Sequence, residues 1–165
     1  MNTKKLVQPA LFTTLALILS LAEGSLPPLA PIPGIKLGLA NVVTLYCLQL
    51  FSPVQTFCML LSRILLASLF TGQAISLLYS LCGGMLCFLC MWCTNRLLGG
   101  HYVPLTSVVG GITHNTGQIL TAWLITSTPG VLTYLPVLLI SGLVTGLFTG
   151  LCAHFSIPFL KRLRF

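Results

Sequence analysis

The chain has 165 residues, of which 56% are hydrophobic and 5% charged, and its mean hydropathy of +1.01 excludes an ordinary soluble domain. Eight Lys and Arg against a single acid, Glu23, give a formal charge of +7. The cations are scattered between apolar runs rather than gathered on one exposed face. They therefore fit the loops of a polytopic membrane protein and not a nucleic-acid surface.

In chain order, Lys4 and Lys5 precede an apolar run, the first predicted span, at about 6–23, with Pro9 in its first turns. A signal peptide starts similarly, but five further spans follow, so a retained first helix is expected. Pro27, Pro28, Pro31 and Pro33 then fix φ and remove backbone donors, which predicts a structured loop ahead of Gly34. The remaining spans are expected at about 35–51, 54–71, 73–94, 103–126 and 131–156, separated by Ser52-Pro53, Thr71-Gly72, Gly99-Gly100 and Pro129-Gly130. The fold class is all-α: one integral membrane domain over residues 1–165, a bundle of six transmembrane helices.

Six spans put both termini on one side. Lys4, Lys5, Arg96, Lys161, Arg162 and Arg164 then share a face, which the positive-inside rule makes cytoplasmic. Trp92 and Trp123 fall near opposite interfaces, and Glu23 and the proline loop lie on the outer side. Two cations, Lys36 and Arg63, remain within predicted spans.

Arg63 lies mid-span, where a charge costs about 2.5–3.5 kcal/mol on translocon scales, so something must offset it. It is either a clamp satisfied by helix-end carbonyls or by Glu23, or a site for an anion or a carbonyl group. Lys36, nearer the surface, is either a snorkelling anchor or a ligand contact. Asn41, on the same span, adds an amide about 8 Å further along the axis, still in the outer half.

The fifth span carries Gly110-Gly111-Ile112-Thr113-His114-Asn115-Thr116-Gly117-Gln118. His114 and Gln118 are four apart and share a helix face, and the glycines allow close approach of a backbone or a flat ligand. This cluster is interhelical glue or a binding pocket. On the sixth span Gly142, Gly146 and Gly150 recur every four residues, a small-residue ridge for packing a neighbouring helix. Cys87, Cys90 and Cys93 resemble an iron–sulfur run, but on a helix they fan apart, so they read as small buried hydrophobes. No metal site, cofactor or disulfide framework is expected.

Together the runs 31–41, 61–72, Ser80-Leu81-Cys82-Gly83-Gly84 and 110–118 resemble the bacterial Gx transporter family, often labelled heptaprenyl diphosphate synthase component I. That family is similar to the substrate-binding S components of energy-coupling factor transporters. The resemblance implies a six-helix bundle with an outward-facing pocket lined by Lys36, Asn41, Arg63, His114, Asn115 and Gln118, capped by the loop holding Pro31, Pro33 and Gly34. It also implies docking on a transmembrane coupling subunit with its ATPases through small residues of the first span, where this chain offers Ala16 and Ser20.

Prenyl diphosphate synthases hold Mg²⁺ on aspartate-rich motifs, and this chain has no Asp and one Glu, so it is not expected to be an enzyme. Two functions remain. One is a binding and transport subunit in the bacterial cell membrane for a small hydrophobic or partly anionic molecule such as a vitamin, a flavin or an isoprenoid or quinone precursor. The other is a non-catalytic anchor for prenyl-quinone synthesis or for a membrane redox partner in flavin-based extracellular electron transfer. Besides lipids, a small-molecule ligand is the expected partner, and nucleic acid is not.

Overall fold

In a computed structural model, residues 4–25, 35–36 and 38–162 are described. They form six α-helices: α1 (Lys4–Gly24), α2 (Asn41–Leu50), α3 (Pro53–Thr71), α4 (Ala74–Leu97), α5 (Val103–Thr126) and α6 (Leu135–Arg162), with a 3-10 segment (Pro129–Tyr134) leading into α6. No strand occurs among the described residues.

Local chemistry sets both ends of α3. Ser52 caps α3 in a reciprocal box with Gln55, and Pro53 occupies the first turn, where its missing N–H costs nothing. Gly72, with φ 67°, ends α3 in the left-handed conformation that glycine adopts without strain. Pro9 stands near the start of α1, and Thr13 Oγ1 donates to the Pro9 carbonyl at 2.8 Å.

The second element departs from expectation. A helix was expected from residue 35, but α2 begins at Asn41 and has only 10 residues, about 15 Å at 1.5 Å per residue and half a bilayer core. The cause lies at Gly38. Its φ of 84° breaks a right-handed path, and its N–H donates to the Glu23 carboxylate. The chain tightens into α2 only afterwards, through 2.9 Å and 3.1 Å i→i+3 bonds from the Asn41 and Val42 amides. Lys36 thus lies in the connection ahead of α2 rather than on its outer turn. The loop cap of Pro31, Pro33 and Gly34 lies outside the described residues.

Four stretches are long and apolar enough to cross a membrane: Leu6–Gly24, Pro53–Thr71, Ala74–Leu97 and Pro129–Arg162. Helix α5, with 24 residues, carries the polar run and occupies the centre, packed between α4 and α6 and touching α2. Helix α1 packs on α3 and α2. The distribution of polarity is inverted relative to a soluble protein: Asn115 and Gln118 are fully buried, while Leu69, Phe70, Phe148, Phe155 and Phe159 face outward. Gly142, Gly146 and Gly150 lie against α5, where an added Cβ would come within 2.7–2.9 Å of Gly111, Ser107, Val108 or Pro104. Cys87 is buried, Cys90 half-buried and Cys93 exposed, so the three thiols do spread around α4.

Candidate functional site

The buried charges gather where the end of α1 meets the middle of α3. Ser20 and Glu23 are three residues apart on α1 and so share a face. Arg63 reaches them from α3, with 6% of its surface exposed, and its Nη1 donates to Ser20 Oγ at 3.1 Å. Its Nε has no hydrogen-bond partner among the described residues. The Glu23 carboxylate accepts the Gly38 N–H, and the Leu39 amide faces it as well. The Lys36 ammonium lies near Gly24, where an added Cβ would be 3.9 Å from Nζ. A cation there complements the negative end of the α1 dipole.

These groups surround a cavity of ≈ 20 Å³, with Ser80 of α4 and His114 of α5 on its far wall. A water needs roughly 10–15 Å³ of such space, so the cavity has room for about one. His114 is wedged between two glycines. A Cβ at Gly38 would stand 2.7 Å from its Cδ2, and one at Gly83 would stand 3.1 Å from its Nδ1. Glycine at 38 is therefore required twice over, by its positive φ and by the imidazole against it.

Of the six side chains expected in one pocket, Lys36, Arg63 and His114 line this cavity. Gln118 is adjacent: its Oε1 accepts the Lys36 backbone N–H at 3.3 Å. Asn41 also crowds Gly38, its Nδ2 2.8 Å from where a Cβ would stand, but it lines a separate void of ≈ 10 Å³ shared with Met91, Ser107 and Thr145. Asn115 turns away to α6, where its Nδ2 donates to the Leu138 carbonyl at 2.6 Å and to Ser141 Oγ at 3.3 Å. Asn115→Ala is therefore expected to destabilise the protein by about 0.6–2 kcal/mol while leaving ligand capture unchanged, as read by thermal unfolding beside a binding assay.

Sequence reasoning did not place Ser20, Gly38 or Ser80 in the site, and it weighed Glu23 only as a possible partner for Arg63. The available signal was the isolation of Glu23: a chain with a single acid must spend it beside its buried cations. Ala16 and Ser20, the small pair on α1, are buried inside the chain toward α3 rather than presented outward.

A second feature lies toward the other end of α1. An open apolar groove of ≈ 760 Å³ runs between α1, α2 and α6, walled by Leu15, Ile18, Val42, Tyr46, Phe155 and Phe159 among others. Phe12 and Val43 form part of this groove and also border a ≈ 10 Å³ void whose far side is Arg63. Apolar groove and buried guanidinium are thus separated by one layer of side chains.

No curated protein and no solved structure matches the chain. A family model described as heptaprenyl diphosphate synthase component I matches residues 12–156. The match reaches into all six helices, and the chain belongs to the heptaprenyl diphosphate synthase component I family.

Proposed function

We propose that this chain is a non-catalytic, membrane-embedded binding subunit for an amphiphile of the isoprenoid or quinone-precursor class, its anionic or carbonyl head directed to Arg63 and Lys36 and its apolar body in the groove between α1, α2 and α6. The observation that carries this reading is Arg63 itself. A guanidinium held among apolar helices with an unpartnered Nε is costly, and a ligand anion would offset that cost. Inward polar and outward apolar residues support the membrane setting.

The family name describes one component of a prenyl diphosphate synthase. On this reading the chain joins a second subunit that carries the Mg²⁺-dependent chemistry, because no Asp and one Glu make a poor set of ligands for that metal. Transport with a coupling subunit, as in energy-coupling factor systems, uses the same binding step. The size of the polar cavity favours a second reading, an anchor for a soluble or redox partner, since ≈ 20 Å³ accommodates no head larger than water unless side chains move.

Native mass spectrometry of gently released protein separates the two. The binding reading expects a small-molecule adduct that is lost in Leu15→Trp, which fills the groove. Protein partners without any adduct would replace it with the anchor reading. The proposed setting is the bacterial cell membrane with both termini cytoplasmic. A single cysteine at position 161 in a cysteine-free background is then expected to resist an impermeant maleimide until the cells are permeabilised; labelling of intact cells would overturn that orientation.

A further inference from the structure

We propose that the Glu23 carboxylate occupies the seat of a ligand headgroup and leaves it on binding, which selects heads carrying two or more negative charges, such as a phosphate or diphosphate monoester. The inference rests on the binding reading above and specifies its ligand.

Glu23 stands in the last turn of α1, where the helix dipole disfavours negative charge. It accepts the Gly38 N–H there, with the Leu39 amide beside it and Arg63 and Lys36 lining the same cavity. Successive amides around a residue of positive φ form a concave anion nest, and Gly38 has a φ of 84°. Two amides and two cations around one carboxylate make a built anion seat, occupied by the chain's single acidic side chain.

Charge and volume then indicate what can replace it. By formal charge Arg63 and Lys36 contribute +2 and Glu23 −1, so the cluster is left at +1. A monoanion in place of Glu23 only reproduces what the protein already supplies, whereas a dianion neutralises both cations. Preference between the two follows from that difference. With room for about one water, the cavity admits a headgroup only as the Glu23 side chain swings out. Glu23 lies one residue from the end of α1, where helices fray, while Arg63 stays in mid-helix and keeps its bond to Ser20.

The test uses the full-length protein in detergent micelles with inorganic diphosphate as the probe. Glu23→Gln keeps the side-chain shape, removes the charge, and is expected to bind diphosphate at least about tenfold more tightly than wild type, because the internal competitor is gone. Adding Arg63→Gln is expected to abolish that gain. No gain, or a gain that survives loss of Arg63, overturns the proposal. Because Glu23 is the single side-chain carboxylate, its infrared band in ¹³C-labelled wild-type protein can be followed without any substitution. Saturating diphosphate is expected to shift that band, and a band that stays put while diphosphate binds overturns the proposal. A band shift without any amphiphile adduct in mass spectrometry would uphold the seat and remove the amphiphile reading. An adduct indifferent to both Glu23→Gln and Arg63→Gln would do the reverse.

Discussion

Arg63→Leu is expected to cost about 3–5 kcal/mol, and Glu23→Leu added to it to restore most of the loss. The first figure follows from what the substitution leaves behind. Glu23 is 6% exposed, and without the guanidinium its carboxylate stays buried with Lys36 as the remaining cation in its cluster. The second follows from the general behaviour of buried opposite charges, whose joint replacement by apolar residues is often neutral, the half-buried Lys36 being able to turn its ammonium to solvent once Glu23 is gone. Thermal unfolding in micelles reads both: a fall of roughly 6–20 °C for the single variant, and recovery in the double. Losses that simply add would show that Glu23 and Arg63 do not share one electrostatic site. Arg63→Lys keeps the charge but shortens the reach to Ser20, so its loss is expected to be smaller. The double Leu variant separates structure from function, since on the binding reading it folds and retains no ligand.

The placement of Arg63 also bears on what could be read from the chain alone. Strong local punctuation was legible: Ser52-Pro53 opens α3, Gly72 closes it, and Pro129 opens the 3-10 segment before α6. The start of α2 was not, because an apolar stretch after a proline loop looks helical until a distant carboxylate takes the Gly38 amide. That partner is 15 residues back, beyond any helical or turn spacing. The polar run on α5 was legible as a cluster but not in its directions. Successive helical residues point about 100° apart, so His114 looks toward α4 and the Glu23 cavity while Asn115 looks toward α6. Depth along a span can be counted from sequence. Azimuth needs to be known relative to every neighbouring helix, and that is set by packing.

Gly111→Ala is expected to be among the most damaging single-methyl additions, although the same change in an isolated helix would stabilise it. In a helix interior Ala is favoured over Gly by about 0.8–1.0 kcal/mol. Against this, a Cβ on Gly111 would stand 2.3 Å from the Gly142 carbonyl oxygen, so two backbones must separate to admit it. Overpacking commonly costs about 1–3 kcal/mol, and here it also strains the Asn115 bond to α6 and the 3.1 Å Ser107–Thr149 contact. The steric term therefore wins, with a net loss of about 2 kcal/mol or more. Gly84→Ala is the matched comparison. Its Cβ would meet first the Ile64 Cδ1 at 3.0 Å, the end of a flexible side chain that can shift aside, so its expected loss is smaller than that of Gly111→Ala and is offset in part by the helix preference for Ala. Gly142→Ala strikes the same contact from the other helix, 2.7 Å from the Gly111 carbonyl oxygen. The double Gly111→Ala/Gly142→Ala variant should therefore cost less than the sum of its parts, since the helices part once for both methyls. Thermal unfolding of the four proteins beside wild type decides the matter: equal effects of Gly84→Ala and Gly111→Ala, or strict additivity of the pair, would mean that the backbone contact between α5 and α6 is not what holds them together.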